Sequence, residues 1–502
     1  MSPALQALPF RLRATALLLL LAACGGQKSD NAEETASVTK GTKETAAKIP
    51  ITSSSEEAKK LFSEGRALAE QIRLHDGGQL LKQAVAKDPQ FALAHYNLAL
   101  TAPTTKEFLE HLNEAVALSD KASEGERLLI LSLQAGANAD PTKSLKYAEE
   151  LVAKYPQDER AHLTLGNAYF GQQEYEKAVA ELKKATEIAP DYSPAYNSLG
   201  YVYRPLEKYA EAEAAFKKYI ELVPNDPNPY DSYAELLMKT GRFDESIAQY
   251  RQALSVDPKF GVSHIGIAGN LMFQGKHTEA IAEAQKLDAA ARNDGERRAA
   301  LLSQTVTYID WGKNDQALKL MEKQYALGAK IGDTSAMAGD AVNLGDILLE
   351  AGKPDAAAKR YQQALDLVSK SSLSQDVKDD AKVADHYNLG RVALKRGEAA
   401  AASQHAEAYM KGATDRHNDI RIRQAHRLLG LIALQGKKYD EALSHLGEAS
   451  QQNPYVIYAT ALAYQGKGDS GKAKATAERA ATMNILPTLD YAFVRAKSKR
   501  MA

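Results

Sequence analysis

Cysteine occurs once in 502 residues, at Cys24. One thiol excludes an internal disulfide and any zinc or iron–sulfur site that needs several thiolates, so packing must hold the fold. A surplus of either charge is also missing. The chain carries 63 Lys and Arg against 64 Asp and Glu, and its net charge of −1 provides no field to gather nucleic acid. No HExxH pair, GxSxG elbow, Walker loop or GxGxxG turn is present, so no catalytic, metal-binding or cofactor-binding residue is expected. The apolar run near the start, Ala14 to Ala23, is too short to remain as a bilayer-spanning helix. What is present is an ordinary globular composition, 44% hydrophobic and 25% charged.

Arg11 and Arg13 precede that apolar run, and Ala22 and Ala23 close it. The three parts in this order are those of a secretory signal peptide. Leu21-Ala22-Ala23-Cys24 resembles the bacterial lipobox. That resemblance implies cleavage before Cys24 and acyl chains on its thiol, so residues 1–23 are expected to be a lipoprotein signal peptide and Cys24 the lipidated membrane attachment. In lipoproteins an Asp after the Cys favours the inner membrane. Gly25 stands there instead, which points to the outer membrane, facing the periplasm or the cell surface. Residues 24–55 are polar and short of large apolar side chains, and are expected to form a flexible tether.

Beyond the tether the chain repeats. Sliding Ala161–Pro190 along the chain until Pro190 falls on Pro224 also sets Leu165-Gly166 on Leu199-Gly200, Tyr169 on Tyr203, Ala178 on Ala212 and Leu182 on Phe216. This pattern resembles the tetratricopeptide repeat, a pair of antiparallel helices with a large residue at position 4, Leu-Gly at 7 and 8, an aromatic at 11, Ala at 20, a large residue at 24 and Pro at 32. Small residues let the two helices approach, large ones fill the space between hairpins, and the proline ends the second helix. Six of the 17 prolines fall at position 32, namely Pro89, Pro156, Pro190, Pro224, Pro258 and Pro454.

Units are placed near 58, 92, 125, 159, 193, 227, 261, 298, 338, 383, 423 and 454. The expected fold is therefore all-α, a right-handed solenoid of roughly twelve antiparallel helix pairs. The unit from Ala92 matches poorly, with His111 where a small residue belongs. Starts keep to the family's period of about 34 residues up to 261 and are more widely spaced between 298 and 423. The array is accordingly divided into a regular part, 56–290, and a longer-period part, 291–485, closed by a capping segment, 486–502. Ser123 with Glu126 and Asn293 with Glu296 fit capping boxes, and Pro205 should end its helix early.

Five of the 11 histidines, His95, His162, His264, His386 and His426, sit at position 4, so they are read as packing between helices rather than as ligands. Trp311, at the end of a first helix, is read as packing too. The resemblance implies a concave groove lined by positions 2, 5, 9 and 12 of the first helices. These positions give Arg160, Leu163, Asn167 and Phe170, then Asn197, Tyr201 and Arg204, then Asp231, Glu235 and Met238. The Lys and Asn carboxylate clamp of some relatives is absent: Thr164, Ser198 and Ser232 stand at position 6.

A mixed aromatic and charged lining suits an extended peptide or a partner helix. The expectation is a non-enzymatic lipoprotein scaffold of the bacterial envelope, which binds a protein or peptide partner, reaches the membrane through Cys24 and takes no nucleic acid. The alternative is an accessory module for a ligand or polysaccharide, with Phe170 and Tyr201 as aromatic platforms.

Overall fold

The computed structural model describes residues 48–502 apart from Ala139 and Ser372. Cys24, the signal segment and tether residues 24–47 lie outside the described residues. Among those described there are 25 α-helices, one short 3-10 turn and no strand. Twenty-four helices form twelve consecutive hairpins, from Glu56–Glu70 with Leu74–Lys87 to Pro454–Gly466 with Ser470–Ala481, and a single helix, Leu489–Met501, follows.

The tightest hairpins close on a glycine. In hairpin 5, Ser193–Tyr203 with Tyr209–Leu222, a Cβ on Gly200 would lie 2.4 Å from the Phe216 ring. In hairpin 9, Thr334–Glu350 with Pro354–Lys370, a Cβ on Gly345 would lie equally close to Tyr361. Hairpins 4 and 11 repeat the arrangement with Gly166 on Leu182 and Gly430 on Leu446, always between the same two positions of the repeat.

Local signals act where the sequence places them. Ser123 and Glu126 make a complete capping box, whereas Glu296 accepts from Arg292 rather than Asn293, so only half of the second box forms. Hairpin 5's first helix stops at Tyr203, ahead of Pro205. First helices of hairpins 8 to 11 run to 17 or 22 residues, against 10 to 15 in hairpins 1 to 7, and second helices of hairpins 8 to 10 run to 17 or 18 against 14, which together account for the wider spacing of starts between 298 and 423. The division near residue 291 marks this change of length; the core itself runs through it, joining Phe273 and Ala284 to Val306 and Met321.

Three features lie beyond the repeat. The first corrects the tether, whose last residues are not loose. Residues 48–55 form an extended strap, in which the N–H groups of Ile49, Thr52 and Ser54 donate to Asp158, Glu126 and Asp88 at 2.8, 2.8 and 2.9 Å. Ile49 and Ile51 pack on the first hydrophobic cluster. The polar composition of the segment conceals both the donors and the two isoleucines.

The second feature is a seam between successive turns of the superhelix. Thr105 N–H, at the start of hairpin 2's second helix, donates at 3.0 Å to Asp333, the N-cap of hairpin 9, and Ser374 reaches Asn138 at 3.5 Å. Ile72, in the turn of hairpin 1, packs beside Phe260 and Val262 and has a φ of 61°. A β-branched residue in the left-handed region is strained by about 1–2 kcal/mol, which its burial in the seam offsets.

The third feature adds to the reading of 486–502 as a capping segment, whose helix packs on both helices of the last hairpin and also reaches back to hairpin 8. Helix Leu489–Met501 lies along the concave face, with Leu489, Tyr491, Phe493 and Val494 in one cluster with Met238, Phe273, Ile309 and Ile347. Arg495 donates to both oxygens of Asp310 at 2.9 and 2.8 Å and to the Phe273 carbonyl at 2.6 Å. Lys497 pairs with Glu350, and Arg427 with Asp490. The helix plugs the C-terminal part of the channel.

Gly200→Ala should destabilise the protein by about 1–2 kcal/mol in urea or thermal unfolding, because overpacking against Phe216 outweighs the better helix propensity of Ala. At hairpin 6, the N-cap Asp226 is 4% exposed; one oxygen accepts from Asn228 N–H, the other has no partner, and Arg73 of hairpin 1 acts on it as a positive charge. Burial pushes its carboxyl up to about 7. Between its ordinary 3.8 and about 7 only the folded state holds this proton, so its contribution to stability falls as pH rises through that window. Asp226→Asn keeps the cap and should raise the melting temperature at about pH 8 more than at about pH 5. Equal shifts at both values would count against a buried proton.

Candidate functional site

With the plug in the C-terminal half, the concave face stays open over hairpins 1 to 5. A cavity of about 380 Å³ lies there, a size suited to a short segment or a small ligand. Its walls are apolar on one side, with Leu93, Tyr96, Leu100, Leu129 and Leu163, and Ile49 and Ile51 of the strap form part of its rim.

The opposite wall is charged. Arg160 donates to Glu70 at 3.2 Å and to Glu159 at 2.7 Å, and its guanidinium lies 5.1 Å from the Tyr192 ring centroid. Burial works against the charge on Arg160, but Tyr192, Glu70 and Glu159 outweigh it and hold the group firmly protonated. Lys48 of the strap pairs with Glu159. Burial would raise the Glu159 carboxyl; Lys48, the backbone N–H and Arg160 keep it below its ordinary value. Asp158, the N-cap of helix Glu159–Gly171, accepts from Arg160 and Ala161 N–H through one oxygen and from Ile49 through the other. Strap and groove wall are therefore one electrostatic unit.

Between the two walls lie asparagines. Asn167, 3% exposed, has no partner for Nδ2, and Asn197 has none for Oδ1. A donor and an acceptor left unmade in a partly apolar cavity each forgo about 1 kcal/mol that a ligand's polar groups could recover.

The ten groove residues read from the sequence part company here. Arg160, Leu163, Asn167 and Asn197 line the cavity. Phe170 packs against Tyr175. Tyr201 meets Phe216 edge-on and donates to Glu235, which also pairs with Arg204, so these three groups are engaged with one another and their neighbours. Two members are corrected outright. Asp231 is 2% exposed and accepts from Ser263 of the next hairpin, and Met238 is fully buried in the cluster that holds the terminal helix. Counting positions cannot show that a later segment covers them. Counting also missed Arg66, Glu70, Tyr96 and Asn97, which lie on first helices of the two opening hairpins.

The position-4 histidines do occupy the slot between helices. His162 and His264 face Glu181 and Glu283, while His386 and His426 face His405 and His445. Trp311 departs from its reading: at 37% it is exposed, stacked beside His277 with Lys313 over its ring. Among the described residues no group of three or more His, Cys, Asp or Glu is placed to hold a metal ion, and no helix is long and apolar enough to cross a membrane.

Family models for tetratricopeptide repeats match residues 166–204, 193–226, 237–305, 342–409 and 387–456. No curated protein is significantly similar to the chain. Solved structures that resemble it include a thermophilic TPR protein of Thermus thermophilus, at 25% identity over 43% of this chain and 98% of that one, with a TM-score of 0.28. A tetratricopeptide repeat protein of Parabacteroides merdae shares 16% identity over 57% of this chain and 99% of its own, with a TM-score of 0.33. YrrB, a TPR protein with an unusual peptide-binding site, shares 20% over 36% and 91%, with a TM-score of 0.25.

If the free amide of Asn167 is held ready for a ligand, it should weaken the empty protein. Asn167→Leu should therefore stabilise it by about 1 kcal/mol in denaturant titration. A loss of stability would mean that the amide is already satisfied.

Proposed function

Because the chain is a tetratricopeptide-repeat protein, we propose that it is a membrane-anchored lipoprotein scaffold of the bacterial envelope, whose N-terminal cavity takes a peptide segment of a protein partner. The repeats support a protein-binding scaffold. Lipidation at Cys24, attachment to the outer membrane and a non-catalytic role complete the reading, on the strength of the lipobox-like Leu21-Ala22-Ala23-Cys24 and the absence of catalytic motifs.

The observation that carries the proposal is the pair of unpartnered amide atoms, Asn167 Nδ2 and Asn197 Oδ1, in the walls of one cavity. A peptide group offers one acceptor and one donor, the complement of this pair. Side chains flanking it would lie against Leu93, Tyr96 and Leu163. The polysaccharide alternative loses its expected marks, since Phe170 and Tyr201 are engaged with Tyr175, Phe216 and Glu235.

In-cell crosslinking and co-purification of the full-length protein test both halves of the proposal. The unaltered protein should fractionate with membranes and capture a stoichiometric partner, and Cys24→Ala should leave the membrane fraction. Asn167→Ala with Asn197→Ala should weaken capture by roughly tenfold, the worth of two hydrogen bonds at about 0.5–1.5 kcal/mol each. Undiminished capture by the double variant would remove the cavity from the proposal, and membrane association without Cys24 would remove the anchor.

A further inference from the structure

Hairpins 10 and 11 pair Gln375–Arg396 with Ala399–Asp415 and Asp419–Gln435 with Tyr439–Glu448. Within them His386 and His405 face each other Nδ1 to Nδ1 at 3.0 Å, and His426 and His445 do so at 3.1 Å. The two pairs are nearly superposable, with ring centroids 5.3 Å apart and planes inclined by 40° and 39°. Partners stand 19 residues apart, the same spacing that sets His162 on Glu181 and His264 on Glu283, at 2.7 and 2.5 Å. One slot of the repeat thus carries two chemistries.

They respond to acid in opposite senses. An imidazole beside a carboxylate gains from protonation, and the hydrogen bond to Glu181 holds His162 above its ordinary value. Two imidazoles sharing one proton make a good hydrogen bond; a second proton leaves two N–H groups pointing at each other. Burial, then His386, lowers the His405 imidazole, and burial, then His445, lowers that of His426. Charged groups near the pairs include Asp385, beside His386, and Glu448, which favours the proton on His426 without overcoming those two effects. From the helix that follows hairpin 10, Arg421 is turned to Asp380 and the Tyr409 ring.

The pairs also stand where movement would be transmitted. Arg427, next to His426 in the chain, donates to Asp490 at 2.8 and 3.2 Å, and Asn453 adds a third bond at 3.0 Å. Asp490 belongs to the first turn of the helix that plugs the channel.

We propose that hairpins 10 and 11 form an acid-sensitive latch on this helix. When both imidazoles of a pair take up protons their helices part, Arg427 moves from Asp490, and Leu489–Met501 loosens in the channel. Unfolded imidazoles charge near pH 6.5, and the folded pairs resist the second proton to lower pH. The stability they contribute is present above that value and is lost as pH falls below it. Acid would thereby open the concave surface of the C-terminal hairpins, beside the N-terminal cavity.

The test replaces His405 and His445 in the full-length protein by Glu, the residue that hairpins 4 and 7 carry in the same slot. Amide hydrogen exchange of residues 485–502 is compared at about pH 7.5 and about pH 5.5, after correction for intrinsic rates. In the unaltered protein, exchange in the terminal helix should be about tenfold faster at the lower pH, one pKa unit's worth, and in His405→Glu/His445→Glu, where each new His–Glu pair gains from acid, it should not accelerate. Asp226 is common to both proteins and cancels. Should the Glu variant fold poorly, His405→Gln/His445→Gln removes the second proton without adding charge and must likewise show no acceleration. Equal acceleration in unaltered and Gln proteins, or none in the unaltered protein, would overturn the latch.

Discussion

The two helices of a hairpin approach each other so closely that only glycine fits at the contact, and the rest of the architecture depends on it. Gly200 under Phe216 and Gly345 under Tyr361 leave no room for a methyl group, so the helices meet backbone to ring. That contact fixes the angle at which each hairpin leaves for the next. Repeated along the array with small changes in helix length, it bends the chain until hairpin 2 reaches hairpin 9. Curvature, channel and cavity are consequences of a glycine on one helix set beneath a large side chain of the facing one.

Closure changes what the concave face can offer. In an open solenoid the whole inner surface is available to a partner. Here Asp310, Glu350 and Arg427, which a free groove would present to a ligand, are taken up by Arg495, Lys497 and Asp490 of the chain's own last helix. Leaving such charges unpaired in the channel would cost several kcal/mol each, so the terminal helix serves as an internal counterpart as much as a cap. What stays open is the stretch where Arg160 is neutralised by its own neighbours and the asparagines are not. Selectivity in such a site rests on amide hydrogen bonding and apolar fit rather than on net charge.

The periodic part of this fold was legible in the sequence. Leu-Gly, Ala and Pro landmarks located all twelve hairpins because each reports a contact within one unit or with the next, and Pro205 and the Ser123 capping box act through bonds more local still. The site was legible only in part. Arg160, Asn167 and Asn197 followed from counting, whereas Arg66, Glu70 and the strap did not, since they come from hairpin 1 and from a segment without period. Met238 failed for the complementary reason: its position is a groove position, and the last helix of the chain fills the groove. Ile72 carried a signal of its own. Several hairpins place glycine at the left-handed residue of the turn, such as Gly275, Gly312 and Gly352, and an isoleucine there marks a turn with something to pack against.

The seam between Thr105 and Asp333 also bears on how the chain reaches this state. A solenoid whose units touch only their neighbours can nucleate anywhere and propagate, and its ends can fray without disturbing the middle. Once residues so far apart in the chain are bonded, the first hairpins complete their contacts only after the ninth has emerged and formed. Contact order rises accordingly, and with it the entropic barrier. Folding should resemble that of a single cooperative globule more than the zipping of a ribbon. During synthesis the N-terminal hairpins would wait with the faces at Ile72 and Thr105 uncovered, an interval in which a chaperone, or a second copy offering the equivalent of Asp333, could occupy the seam first.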